Sequence, residues 1–317
     1  MNIREKLPML NKKDDDPERM DLLMRTIKAV HSATTNETFK SEDDLKKQRA
    51  EIELFSKLVA PSIVADIRSF TVDGIPCEWV SPSFAHRKDK VILYCHGGGY
   101  TCGGLGYARI LATKLAFHTG LSVVSFEYRL APEHPYPAAI EDGMKLWDYM
   151  MHLGYGADDV IIAGDSAGGN LSLEICIELK AQKRFLPRAL VLMSPWTDMR
   201  ANASSYTTYA DKDPLLTFNY VASVRSAYLG DDTDYENEKY SPLLTDLSDF
   251  PPTLIQVGSN EILKCDSERL SKYMIKAGVY AKLEIYPGGF HVFQQMPIPK
   301  ATHALDNVGS FIDDILR

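Results

Sequence analysis

Between Val160 and Lys180 the chain reads VIIAGDSAGGNLSLEICIELK, and this stretch restricts the fold more than any other. Val160 to Ala163 is a short apolar, β-branched run, the composition of a parallel strand buried on both faces. Leu171, Ile175 and Leu179 then recur at helical spacing. Gly164-Asp165-Ser166-Ala167-Gly168 lies between them as a G-x-S-x-G turn. A strand, sharp turn and helix in this order lift the Ser166 hydroxyl above the sheet. They also leave the Ala167 N–H at the helix start, where amide donors have no intrahelical partner. Alone, the pentapeptide also occurs as an ordinary glycine-rich strand-to-helix turn, so its chemistry depends on what else the chain supplies.

The rest of the chain repeats the same alternation. Ile67 to Val72 and Ile75 to Val80 flank Asp73-Gly74 and read as an antiparallel edge hairpin. Strands are expected at Val91 to Tyr94, Ser122 to Phe126, Ala189 to Met193, Thr253 to Val257 and Ala281 to Tyr286. Helices are expected near Ala108 to Phe117, Ala138 to Met151, Ser267 to Lys276 and at the C-terminus. Such βα repeats imply an α/β fold, a mostly parallel central sheet flanked by helices. Ligands then bind at the carboxyl edge of the sheet.

Two regions break the rhythm. The first 60 residues carry 24 charged side chains, and their apolar residues fall at helical spacing. Asp16-Pro17 starts one helix, with a stripe of Met20, Leu23, Met24, Ile27 and Val30. Ser41 and Asp44 open a second as a capping-box pair, burying Leu45, Ile52, Phe55 and Val59. Neither helix has an apolar partner within the segment. Mixed acidic and basic residues argue against a calmodulin-type or membrane-surface role. Residues 1–62 are therefore expected to be a helical cap, and 63–317 the catalytic domain, with a cap-like insertion over about 199–250.

A net charge of −8 disfavours nucleic acid and anionic membrane as partners. Cys77, Cys95, Cys102, Cys176 and Cys265 are odd in number and widely spaced, and no secretion signal is apparent, so a cytoplasmic location with free thiols is expected. No apolar run approaches the ~18 residues of a membrane span, so no stable membrane insertion is expected. A homodimer is left open.

A second motif, His96-Gly97-Gly98-Gly99-Tyr100, directly follows a strand. A dinucleotide fingerprint would need its third glycine at position 102, which is Cys102, and no P-loop lysine follows. Consecutive glycines instead let backbone N–H groups point into a cavity unobstructed. Gly98, Gly99 and Ala167 N–H groups would then form an oxyanion hole.

His96-Gly97-Gly98-Gly99, Tyr128-Arg129-Leu130-Ala131-Pro132-Glu133 and Gly164-Asp165-Ser166-Ala167-Gly168-Gly169, in that order, resemble the hormone-sensitive lipase family of α/β-hydrolases, the bacterial family IV carboxylesterases. The resemblance spans roughly residues 65–317. It implies the α/β-hydrolase fold, hydrolysis of short acyl esters, a cap from the N-terminal segment and no cofactor or metal. It also implies that Tyr128 to Glu133 buttresses the oxyanion loop.

A serine hydroxyl needs a base. Of eight histidines, His291 follows the last strand and the turn Pro287 to Phe290, on the Ser166 edge of the sheet, in the order Ser, acid, His. The family's usual H-G-F reads His291-Val292-Phe293 here. Its D-P-L-x-D acid segment corresponds to Gly258-Ser259-Asn260-Glu261-Ile262-Leu263, which puts Glu261 at the acid position. Asp266 is the rival acid, though it reads as the N-cap of the next helix. Trp196, Leu215 and Leu216, with Tyr206, Tyr209, Phe218, Met20 and Met24, are expected to narrow a short acyl slot, unless they are simply core. The same triad would serve amide, formamide or sugar-acetate hydrolysis, and related folds include non-catalytic ligand-binding receptors. With no H-E-x-x-H, metal-dependent hydrolysis is disfavoured.

Overall fold

The structure is a computed structural model describing residues 42–84, 86–230 and 234–317. The expected helix from Asp16 and the Ser41 capping position lie outside the described residues. Eight strands, β1 (Ala65–Val72), β2 (Ile75–Pro82), β3 (Arg87–Cys95), β4 (Leu121–Phe126), β5 (Val160–Asp165), β6 (Ala189–Met193), β7 (Thr253–Gly258) and β8 (Ala281–Tyr286), form one sheet in the order β1-β2-β4-β3-β5-β6-β7-β8. β1 pairs antiparallel with β2 and β2 with β4, and every other pairing is parallel. Asp73 and Gly74, at φ 49° and 83°, make the tight β1–β2 turn, a conformation that suits Gly and tolerates Asp.

Among the described residues the α-helices are α1 (Glu42–Leu58), α2 (Leu105–Thr119), α3 (Ala138–His152), α4 (Ala167–Ala181), α5 (Ser205–Thr208), α6 (Phe218–Leu229), α7 (Lys264–Lys276) and α8 (Pro299–Ile315). Strand alternation sorts them into layers. Val91, Leu93 and Cys95 of β3 share one core with Leu146 and Trp147 of α3, Leu171 and Ile175 of α4, and Leu270 and Met274 of α7. Ile92 and Tyr94 face Leu111 and Leu115 of α2 and Leu305 and Val308 of α8. Residues between β6 and β7 contribute Tyr206, Leu216, Val221, Val224, Tyr228 and Tyr240 to the first layer's core. α1 buries Leu45, while Phe55, together with Val59, packs beside Tyr286, Phe290, Phe293 and Met296. Among the described residues no helix is long and apolar enough to cross a membrane.

α7 begins at Lys264, three residues before the expected start. The correction matters for Asp266, which is therefore not an N-cap. It sits inside the first turn, fully buried, and its Oδ2 accepts from Thr197 N at 3.0 Å.

Candidate active site

The centre is the β5–α4 turn. Ser166 has φ 54° and ψ −119°, a sparsely populated conformation of the kind that stores about 1–3 kcal/mol and persists only where packing imposes it. The flanking glycines permit that packing. A Cβ on Gly164 would lie 2.2 Å from Gly168 O, and one on Gly168 would lie 2.0 Å from Cys95 O. Only hydrogen fits at either place. Ser166 N donates to Met193 O at 3.0 Å, and Trp196 N donates to Ser166 O at 3.1 Å, tying the turn to the end of β6.

His291 and Glu261 arrive on the loops after β8 and β7. Ser166 Oγ lies 2.9 Å from His291 Nε2, and His291 Nδ1 lies 2.9 Å from Glu261 Oε2. The carboxylate can only accept, so Nδ1 carries the proton and Nε2 is free to take one from serine. Burial alone would push the imidazolium down. The hydrogen bond and charge of Glu261, with the more distant Asp213 and Asp165, outweigh it and hold His291 above its ordinary value.

A set of buried groups holds these loops. Ser194 Oγ donates to Glu261 Oε1 at 2.9 Å and accepts from Val292 N at 3.1 Å, so one hydroxyl bridges the acid and base segments. Gly258 N also donates to Glu261 Oε1. Lys114 of α2, pushed down to about 8 by burial, donates to the carbonyls of Gln294, Gln295 and Met296 at 2.8–2.9 Å. Asp213, raised to about 6 mainly by burial, accepts from Leu215 N, Leu216 N and Ile262 N at 2.9 Å. It links the 199–250 insertion to the residue after Glu261. Motif reading missed all three because none lies within a recognisable pattern. Lys114 and Ser194 are polar residues set in mostly apolar runs, and that was their only signal; Asp213, beside Asp211 and Lys212, gave none.

The glycine loop lies across the same edge. Gly98 and Gly99 have φ of 112° and 63°, and Thr101 N and Cys102 N both donate to Gly98 O. Among the described residues no acceptor takes the N–H of Gly98, Gly99 or Ala167, leaving these donors available to a ligand oxygen. Asp165 pins the loop to the Ser166 turn. Its Oδ1 accepts from Gly97 N at 2.9 Å and from Tyr94 Oη, and its Oδ2 from Tyr107 Oη at 3.2 Å. Tyr128 Oη donates to His96 O at 2.8 Å, and Ala131 N donates to Tyr100 O at 2.9 Å, so the Tyr128 to Glu133 stretch props the loop from behind. His96 is buried, stacked on Tyr128 at 4.2 Å and pushed down to about 4 by desolvation. It has a structural place.

Trp196 and Leu216 are buried in the main core, while Leu215 is half-buried against both that core and the Phe290–Phe293 cluster. Tyr206 is buried and Phe218 exposed, Tyr209 Oη accepts from Lys264 Nζ at 3.1 Å, and Met20 and Met24 lie outside the described residues. Among the described residues no group of three or more His, Cys, Asp or Glu converges as a metal site.

Known proteins share this arrangement of chain. A family model described as the alpha/beta hydrolase fold matches residues 92–295. An "Esterase" of Acinetobacter venetianus is 34% identical over 265 residues, covering 83% of this chain and 87% of that protein. An "Acetyl-hydrolase" of Streptomyces hygroscopicus is 34% identical over 244 residues, covering 76% and 81%. The crystal structure of an esterase from the bacterial hormone-sensitive lipase (HSL) family superposes with a TM-score of 0.87 at 32% identity, covering 95% of this chain and 99% of that one.

Proposed function

This chain belongs to the α/β-hydrolase fold family, among the carboxylic ester hydrolases of the bacterial hormone-sensitive lipase group, and on that premise we propose that it is a serine carboxylesterase for short acyl esters. The observation carrying this reading is the unbroken hydrogen-bonded series from Ser166 Oγ through His291 to Glu261. His291 Nε2 takes the hydroxyl proton as Ser166 attacks the ester carbonyl, and Glu261 keeps the imidazole in the Nδ1–H tautomer and stabilises the imidazolium. The Gly98, Gly99 and Ala167 N–H groups receive the developing oxyanion. The imidazolium then protonates the leaving alkoxide. Water, deprotonated by the same nitrogen, releases the acid from the acyl-enzyme.

Short acyl groups are favoured because bulky residues crowd this edge, with Phe55 and Leu215 both packed against the Phe290–Phe293 cluster. Each further CH₂ contributes about 0.8 kcal/mol only while apolar space remains. α1 and the 199–250 insertion act as the cap over that space. A reducing, cytoplasmic setting is in keeping with five unpaired cysteines, four of them buried.

A panel of p-nitrophenyl esters tests substrate size, and a fluorophosphonate followed by peptide mapping tests the nucleophile. Acetyl to butyryl esters should turn over better than octanoyl and longer, with label on Ser166 alone. A kcat/KM still rising through the decanoyl ester, or label elsewhere, would refute the corresponding half of the reading.

A further inference from the structure

α1 meets the glycine loop through a polar contact that the chemistry above leaves unused. Arg49 Nε donates to Thr101 O at 2.8 Å, and Nη2 donates to Ala131 O at 3.1 Å. Nη1 and Nη2 each reach a Glu133 carboxylate oxygen at 2.7 Å. The neighbouring Gln48 accepts through Oε1 from Cys102 Sγ at 3.2 Å. One guanidinium thus joins α1, the loop bearing Gly98 and Gly99, and the Tyr128 to Glu133 prop.

We propose that Arg49 is a positioning residue for the oxyanion loop, so that α1 sets the turnover rate as well as covering the site. This rests on the reading of Gly98 and Gly99 as oxyanion donors. The ion pair with Glu133 is not what matters most. Its side chains are 30% and 49% exposed, and such pairs contribute little by themselves. The backbone contacts matter more. The carbonyl of Thr101 and the N–H of Cys102 belong to one peptide plane. Its N–H donates to Gly98 O at 3.0 Å, and its carbonyl accepts from Arg49. With both ends held, that plane cannot rotate without releasing Gly98. The turn also has no slack, since even a Cβ on Gly98 would come within 2.3 Å of Cys102 O. Glu133 holds the guanidinium fork in the orientation that aims Nε at Thr101 O, a geometry lysine cannot copy. A shift of about 1 Å in catalytic groups can cost on the order of 10² in rate.

The test uses the full-length protein and the variants Arg49→Met, Arg49→Lys and Glu133→Gln. Each is assayed with p-nitrophenyl acetate and butyrate, and active enzyme is counted with a fluorophosphonate. Each is also titrated with a trifluoromethyl ketone, which adds to serine as a tetrahedral oxyanion. Arg49→Met should lower kcat per active site about 10- to 100-fold for both esters, with KM changed less than about threefold. Ketone affinity should weaken by the same factor as kcat/KM, and Arg49→Lys should recover part of both. If Arg49→Met does not fold, Glu133→Gln, which loosens the fork and keeps the donors, must show the same pattern at smaller size. A raised KM with kcat unchanged, or a lowered kcat with ketone affinity unchanged, would overturn the proposal. Wild-type protein that neither cleaves the esters nor takes up fluorophosphonate would refute the ester-hydrolase site itself, and this inference with it.

Discussion

His291 Nδ1 and Glu261 Oε2 meet at 2.9 Å, although 30 positions of chain separate the two residues. Glu261 is fully buried and its other oxygen is taken by Ser194 Oγ and Gly258 N. The carboxylate is thus fixed at both oxygens and holds one orientation toward the imidazole. Asp266 is turned toward Thr197 instead.

The first prediction follows from that contact. His291 works as a base only when neutral, and its pKa is held above the ordinary 6.5, so the acidic limb of kcat/KM should lie above pH 6.5. Glu261→Gln removes the hydrogen bond to a carboxylate and the charge that raise it most, leaving the more distant Asp213 and Asp165 against the burial that lowers it. The limb should move to lower pH while kcat falls by about 10³–10⁴. A pH–rate profile of both proteins checks the direction as well as the size. An unmoved limb would separate Glu261 from the histidine's titration.

Ser166→Ala and His291→Ala should each lower kcat by roughly 10⁴–10⁶ with little change in Tm. The two together should cost about as much as either alone, because the groups act as a unit. Activity above a tenth of wild type in either variant would end the assignment.

Asp266 gives a stability prediction with a definite sign. Burial raises it to about 7 from the ordinary 3.8, so the folded protein binds a proton that the unfolded chain has already released. Stability from this group is therefore complete below about pH 4 and is lost as pH rises through about 7. Asp266→Asn removes the slope, so its Tm should gain on wild type between pH 5 and pH 8, with catalysis largely kept. Asp266→Ala should cost about 1–3 kcal/mol, because Thr197 N is left without an acceptor. If Asp266→Asn abolishes activity while Glu261→Gln keeps it, the acid has been assigned to the wrong residue.

Gly98→Ala tests the loop directly. The new methyl would sit 2.3 Å from Cys102 O at a φ of 112°, so the loop must shift and the donors with it. We expect kcat to fall on the order of 10²-fold or more, in the range of losing one oxyanion donor. Serine phosphonylation should slow in parallel. Unchanged turnover in a folded variant would show that this amide is not an oxyanion donor.

Local patterns carried the sheet, the Ser166 turn and the glycine loop. An apolar run is buried wherever it lands, and a glycine between strand and helix permits one sharp turn. Val160 to Ala163 and Gly164 to Gly168 therefore had a single outcome. The order of motifs also pointed to Glu261 and His291, because strand ends on one sheet edge bring their following loops together. What surrounds those residues was decided only in three dimensions. Ser194 bridges segments whose two partners are 67 and 98 residues further along the chain. Lys114 reaches carbonyls 180 or more residues away, and Arg49 holds carbonyls 52 and 82 residues away. A single hydroxyl, ammonium or guanidinium leaves no period in the sequence, since each acts through one long-range contact and not through a repeated face. The start of α7 escaped for a related reason. Local capping preference favoured Asp266 outside the helix, but Thr197 N supplied a buried partner that drew it inside, and tertiary hydrogen bonding outweighed a cap of about 1 kcal/mol.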